Sequence, residues 1–561
     1  MKNLVLVAFL LIISSVTITA QLSQIDSLFT TNYDYVTNSI YRNNLLFYND
    51  TVYTVNMARP FSTFPPTERH IVFSYKPMGG NWTKQSVFGT QTGWPNLDIG
   101  FTGSTQGTLG ILAGGGKFAL RNGSTFIIKD VPGNYGTFVF SNGNIFLGAN
   151  AGFLGYNLYK STDLGDSWIV IDSLARFHPD IVYCVESGSV EVDMFKSPNE
   201  QYIVMLGTCA AASGGGAHVY NGIAENRADN MWIMFSTDFG DTWDAKRVAA
   251  DGVINLVQDY HSANFAPLFE NFSQISGAVD NAGVVHIVAN GYGLVFSGTT
   301  VIGSNFPVLY WNSSTNIWKS ISSEDIDTLS AIGDFYPTNK IGQSYPSIGM
   351  SEDGQTLYSI WTGPQRNPAS PIGMDTSGGL FWTDLYHSAS SDGGITWEYG
   401  GTASNVPDKS DTYGTSAQYL RTVSSTVFAD ITFMKDSTTG VGPFDGILTD
   451  NPIMYALVNT GDMLTGIGGE IGKVESFTLY QNYPNPFNPV TKISYRMKEA
   501  GNVTLKVYDV LGNLVTTLIN SEINAGLHEI NFNAENLASG IYYYQLRSGG
   551  FLETRKMILL K

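Results

Sequence analysis

The sequence predicts an all-β protein: an array of repeated antiparallel sheet modules followed by a small C-terminal antiparallel β-sandwich. Three observations predict it. The chain holds 60 Gly, 30 Tyr and 32 Phe beside only 14% charged residues, a composition that favours turn-rich pleated structure over amphipathic helices. One turn pattern occurs three times, and tryptophans recur at near-constant intervals. From about Glu475 the chain changes to short alternating strands separated by turn signals. A length of 561 residues also exceeds what one core usually supports, so separate units are expected.

Lys2, the apolar run Leu4 to Ile13 and the small-residue exit Ile18-Thr19-Ala20 read as a secretory signal peptide over residues 1–20, cut near Gln21. That run falls short of the ~20 apolar residues of a membrane-spanning helix, and no later stretch is longer, so no transmembrane segment is expected in the mature chain.

The repeated pattern is Ser-x-Asp-x-Gly-x-(Ser/Thr)-Trp, at Ser161 to Trp168, Ser236 to Trp243 and Ser390 to Trp397. Each residue type has a task in a tight turn. Asp accepts bonds from turn amides, Gly takes a positive φ, the hydroxyls tie the two strands together, and Trp packs as a large plate. Strand-like runs such as Met231-Trp232-Ile233-Met234-Phe235 and Gly379-Leu380-Phe381-Trp382 precede two of them, so the turns connect strands.

This pattern resembles the Asp-box, or bacterial neuraminidase (BNR) repeat, of sialidases and other β-propellers. The resemblance implies a sialidase-like β-propeller whose boxes join the third and fourth strands of a blade, away from the ligand. Asp163, Gly165, Trp168, Asp238, Gly240, Trp243, Asp392, Gly394 and Trp397 are then structural residues. Tryptophans at 82, 168, 243, 318 and 397 step by 86, 75, 75 and 79 residues, with eroded turns before Trp82 and Trp318. That period marks five similar units. The runs Ser425 to Ala429 and Pro452 to Val458 supply a sixth, closed by a strand from residues 30 to 55. Six blades over residues 21–465 are expected, with seven as the alternative. Blade periods this long leave much of the chain in loops, where function concentrates.

Gly-rich residues 466–474 read as a linker. Residues 475–561 carry Tyr480-Gln481-Asn482-Tyr483-Pro484-Asn485-Pro486-Phe487-Asn488-Pro489, then Val507-Tyr508-Asp509-Val510-Leu511-Gly512, and end Lys556-Met557-Ile558-Leu559-Leu560-Lys561. This resembles the C-terminal sorting domain (type A) of type IX secretion in diderm bacteria. The resemblance implies recognition by the type IX secretion machinery, and a protein that is secreted or attached at the outer-membrane surface.

A net charge of −18 argues against nucleic acid, whose phosphates call for clustered Lys and Arg. Seven histidines show no metal-ligand spacing and no EF-hand pattern occurs, so no metal and no cofactor are expected. The two cysteines, Cys184 and Cys209, allow one disulfide at the base of the loop from Ala210 to Asn230.

In the sialidase family three arginines hold a substrate carboxylate, an Asp serves as acid/base, and a Tyr activated by a Glu is the nucleophile. The chain has arginines enough, but the Phe/Tyr-Arg-Ile-Pro signature is missing, its nearest analogue being Met57-Ala58-Arg59-Pro60. Propeller topology puts the loops between second and third strands, and those between blades, on the face opposite the boxes. Candidates for ligand contact there are Arg59, His178, Asp180, Arg227, Asp259, Tyr260, His261, Arg366, Tyr413 and Arg421, with Asp375 and Asp411 beside the last ones. The functional expectation is an exported propeller that binds an extracellular glycan, glycoprotein or polymer. The alternatives are a sialidase-like or other glycoside hydrolase, and a surface scaffold with protein contacts only.

Overall fold

The computed structural model describes residues 23–31, 43–58, 69–88, 92–150, 156–173, 191–210, 218–220, 223–225, 227–249, 265–270, 275–297, 300–305, 307–323, 343–365, 376–377, 380–404, 409–423, 425–437, 451–464, 478–479, 482, 487–497, 501–510, 512–523, 526–549 and 551–560. The chain divides into two compact units, Ala20–Gly469 and a C-terminal unit from Glu470.

The larger unit is a β-propeller of seven four-stranded antiparallel blades, the upper of the two expected counts. Blade 1 is Leu45–Tyr48, Thr51–Ala58, His70–Pro77 and Thr83–Ser86; blade 2 is Asn96–Ile99, Leu109–Ala113, Lys117–Asn122 and Thr125–Asp130. Blade 3 is Gly136–Ser141, Asn144–Asn150, Tyr156–Ser161 and Ile169–Ser173; blade 4 is Glu191–Lys196, Ile203–Ala210, Arg227–Ser236 and Asp244–Ala249. Blade 5 is Ile275–Val279, Val285–Ser297, Val308–Asn312 and Trp318–Ser320; blade 6 is Ser344–Met350, Leu357–Pro364, Thr383–Ser390 and Glu398–Thr402. Blade 7 is Ser410–Ser416, Thr426–Asp436, Asn451–Asn459 and, as its fourth strand, the N-terminal Ser23–Thr31. The closing strand therefore begins at Ser23 and overlaps the expected 30–55 stretch only at Thr30 and Thr31.

Apolar burial explains the ring. A separate buried cluster fills each junction between consecutive blades, from Val55, Ile71 and Leu97 between blades 1 and 2 round to Leu28, Leu45 and Met434 between blades 7 and 1. Each sheet is thus buried on both faces, which accounts for strands such as Val308–Asn312 and Ser344–Met350 being buried at every position.

The tryptophans are fasteners between blades. Trp168 of blade 3 meets Phe118 of blade 2 edge-on at 6.5 Å, Trp243 of blade 4 meets Phe146 of blade 3 at 5.8 Å, and Trp397 of blade 6 meets Tyr310 of blade 5 at 4.8 Å. Trp318 of blade 5 donates to Val248 O of blade 4 at 3.1 Å, and Trp82 of blade 1 packs on Tyr455 of blade 7 at 5.2 Å. One indole per turn, always reaching back one blade, explains the spacing.

The three repeated turns share one geometry. In the turn joining strands 3 and 4 of blade 4, Ser236 Oγ donates to Asp238 Oδ1 and accepts from Gly240 N, both at 2.8 Å. Asp238 in turn accepts from Thr242 N at 2.8 Å and Thr242 Oγ1 at 2.6 Å. Asp163 and Asp392 make the same bonds in blades 3 and 6. In the blade 3 turn the Ser167 hydroxyl, then its amide, hold the Asp163 carboxyl down to about 2.

The C-terminal unit is the expected sandwich. One sheet holds Thr478–Leu479, Val490–Met497 and Gly526–Asn533; the other holds Leu514–Ile523, Gly501–Tyr508, Gly540–Ser548 and Phe551–Leu559. Leu479, Ile493, Leu505, Tyr544 and Met557 are fully buried between them. Asn482 donates its amide to Tyr544 Oη at 2.7 Å, and Phe487 N donates to Ile558 O at 2.9 Å, so the Asn-rich motif is fastened to the sandwich core and its last strand.

Candidate functional site

The propeller has two unlike faces. One carries the connections from strand 1 to 2 and from strand 3 to 4, which are short turns in most blades. The other carries the strand ends from which the chain passes from strand 2 to 3 and from blade to blade; residues 59–68, 174–190, 250–264, 324–342, 366–375 and 438–450 of those connections lie outside the described residues. Two of the strand 2 to 3 connections hold small hairpins, His218–Tyr220 with Ile223–Glu225 and Thr376–Ser377 with Leu380–Phe381. Between blades 4 and 5 the strand Phe265–Glu270 pairs with Arg227 and Ala228 on one side and with Phe265's partner Val295 and its neighbours on the other. Thr300–Asn305 adds to the same extension, so blades 4 and 5 are fused by a β-wall on this loop-bearing face.

Toward the turn-bearing face a buried charge cluster links blades 2, 3, 4 and 7. Lys196, on the first strand of blade 4, is fully buried and donates to Ile99 O at 2.6 Å, Glu200 Oε1 at 2.7 Å and Asp98 Oδ2 at 2.9 Å. Its ammonium stands 4.4 Å from the Phe101 ring centre. Glu200, also fully buried, accepts from Phe101 N, Asn142 N and the Thr102 hydroxyl. Tyr419 and Gln418 of blade 7 donate to Lys196 O at 2.7 and 3.1 Å. Blades 4 and 7 stand three apart in a ring of seven, so these bonds cross the axis. Burial pushes the Asp98 carboxyl up against the pull of Lys196, whereas for Glu200 the ammonium and the donated bonds outweigh burial and hold it down.

Arg59, His178, Asp180, Asp259, Tyr260, His261 and Arg366 lie outside the described residues, as do Asp375 and Cys184. Arg227 and Cys209 are on strands of blade 4, paired with Glu270 and Asn230.

Tyr413 and Asp411 are placed. Both are buried on the innermost strand of blade 7, whose first residues adjoin the loop-bearing face. Tyr413 has φ 56° and its neighbour Tyr345, on the innermost strand of blade 6, also has φ 56°. Their rings meet edge-on at 4.8 Å, and the pairing of each strand shifts register at that point. Bulky residues in the left-handed region cost about 1–3 kcal/mol each, and bulges re-aim side chains near functional sites. Asp411 is 1% exposed, and neither carboxylate oxygen meets hydrogen-bond geometry with a described residue, although Ser404 and Lys435 stand near. Burial pushes its carboxyl up, offset in part by Lys435 and Ser404.

Arg421 is elsewhere. It belongs to the connection between strands 1 and 2 of blade 7, on the turn-bearing face, where its guanidinium pairs with Asp430 at 2.5 and 3.1 Å and bonds Tyr455 Oη at 2.8 Å. A short pairing of Arg421–Val423 with Thr426–Phe428 folds it there. No group of His, Cys, Asp and Glu among the described residues could hold a metal ion.

Residues 481–560 match the family model for the secretion system C-terminal sorting domain, so the chain carries the address for type IX secretion to the cell surface or the extracellular space. No curated protein matches the chain. Among solved structures the chain is similar to a polysaccharide lyase of family PL25, an ulvan lyase, at 14% identity and a TM-score of 0.46, over 77% of this chain and 95% of that one. It is also similar to the polysaccharide lyase Uly1, at 12% identity and a TM-score of 0.43, over 78% and 99%. A mutant Trypanosoma rangeli sialidase with trans-sialidase activity is similar at 10% identity and a TM-score of 0.35, over 96% and 89%. No helix among the described residues is long and apolar enough to cross a membrane.

Proposed function

We propose that this chain is an exported propeller of the Asp-box type that binds an extracellular glycan or glycoprotein on its loop-bearing face. One observation carries the reading: the long connections leave from the same face that bears the β-wall, while the Lys196 cluster lies toward the other. Asp411, Tyr413 and Tyr345 are buried at the root of those loops and shape the backbone there. The three repeated turns act as scaffold, since their carboxylates are used up in turn hydrogen bonds.

Asp411 favours a second reading, a glycoside hydrolase. A carboxyl raised by burial keeps its proton nearer neutral pH, as a general acid requires. The test is to screen the chain from Gln21 onward for retention on extracellular polysaccharides and for release of reducing sugar, beside Asp411→Asn. Retention without release supports binding; release lost in D411N establishes the hydrolase. Neither retention nor release on any polymer would remove the glycan reading.

A further inference from the structure

The seam where blade 7 meets blade 1 contains a cavity of about 530 Å³, inside the ~300–1,000 Å³ range of small-ligand sites. It opens on the turn-bearing face, between the Pro77-to-Gly80 turn of blade 1 and the Arg421–Val423 segment of blade 7. It is therefore separate from the loop-bearing mouth.

Its chemistry is balanced in charge and rich in hydrogen-bonding capacity. Asp26, from the N-terminal strand, pairs with Lys76 at 2.5 Å and accepts from Trp82 Nε1 at 2.9 Å, both through Oδ2. Oδ1 takes no bond from a described residue, so it is an available acceptor. Opposite, Arg421 uses Nε and Nη2 for Asp430 and Tyr455, and no described bond falls on Nη1. Phe428 and Tyr455 give the aromatic part of the lining. At the rim a Cβ on Gly79 would meet nothing within 4 Å, so that edge is open.

We infer that this seam cavity binds a neutral sugar residue. A sugar hydroxyl can donate to Asp26 and accept from Arg421 while its apolar face lies on an aromatic ring. Each cation already has its own carboxylate, so an added anion would find no uncompensated positive charge. The surrounding unit repels one further. Residues 470–561 hold 9 Lys and Arg against 8 Asp and Glu, which leaves 21 against 40 in residues 1–469, a balance of −19.

The test uses the chain from Gln21 onward, titrated by calorimetry with three neutral trisaccharides (cellotriose, laminaritriose and mannotriose) and with one hexuronate trisaccharide. Val423→Trp fills the cavity from a position 41% exposed, so folding should be undisturbed, as checked by Tm. Ile169→Trp, at an exposed position on blade 3, serves as the control. The expected result is that at least one neutral trisaccharide binds, that V423W weakens it about tenfold or more, and that I169W does not. Binding unchanged in V423W, no binding by any neutral probe, or stronger binding of the hexuronate would each overturn the assignment. A failure of the loop-face reading would show instead as neither retention on nor release from any polymer in the screen above, with the trisaccharide titration of the seam unaffected.

Discussion

Gly394 and Tyr310 are fitted to each other across a blade junction: a Cβ on Gly394 would lie 1.8 Å from the Tyr310 hydroxyl oxygen. Gly394 also holds φ +84°. Backbone geometry and the neighbouring blade both demand glycine, and the same two demands meet at Gly240, where a Cβ would sit 2.1 Å from Phe146. At Gly165 the nearest atom is 3.4 Å away, so only the φ of +86° argues. Gly394→Ala and Gly240→Ala should therefore cost about 3 kcal/mol or more, and Gly165→Ala about 1. Urea unfolding of the three variants ranks them; equal losses at all three would mean that backbone conformation alone selects the glycine.

The same contacts show what was legible in the sequence. Repeated turns and indoles were visible because five of the seven blade junctions reuse one local solution. Blade 2 was not, because its strands 3 and 4 are joined by Gly123-Ser124 without a tryptophan. The 86-residue step from Trp82 to Trp168 thus hides two compact blades. The Lys196 cluster left no signal, since its partners Asp98, Phe101 and Tyr419 are remote in sequence and meet only when the ring forms. Asp411 and Tyr413 share the first strand of blade 7, whereas Arg421, expected on the loop-bearing face, falls on the turn-bearing one because the short pairing after strand 1 reverses the chain.

Acid should destabilise the propeller through two buried histidines. His286 accepts or donates at 2.7 Å with Tyr310 Oη, His387 lies 3.1 Å from Tyr358 Oη, and burial lowers both to about 4. Because the folded value lies below the unfolded ~6.5, the unfolded chain binds more protons in between. Stability is full above about pH 6.5 and falls as pH drops toward 4, by roughly 3 kcal/mol per histidine. Carboxyls that burial raises, such as Asp98 and Asp411, slope the other way, so the imidazole share is the part of the change from pH 6.5 to 5 that disappears in His286→Gln and His387→Gln variants. An unchanged pH dependence of the urea midpoint in both variants would show that neither ring stays neutral in the fold.

Ring closure depends on the strand nearest the N-terminus. Ser23–Thr31 covers the edge of Asn451–Asn459, and its Asp26 reaches blade 1 through Lys76 and Trp82. Removing residues 21–31 should expose a strand edge and open the junction, giving aggregation or a broad, early thermal transition. A synthetic peptide of residues 21–32 added during refolding should restore a sharp one. Wild-type melting by the shortened chain would mean that the ring closes through blades 7 and 1 without this strand.

Breaking the Lys196 cluster tests whether its pairing stabilises the ring or is dispensable. Lys196→Met keeps the side-chain volume but leaves Asp98 and Glu200 buried without their cation, which should cost about 3–5 kcal/mol. Neutralising all three at once, as Lys196→Met with Asp98→Asn and Glu200→Gln, removes the stranded charge. Asn and Gln can still accept from Phe140 N and Phe101 N, the bonds that now satisfy those amides. Most of the loss should return, because the penalty comes from unpaired charge rather than from a missing attraction. Chemical denaturation of the single and triple variants decides it: if the triple variant is as unstable as the single one, the Lys196 pairing itself stabilises the ring.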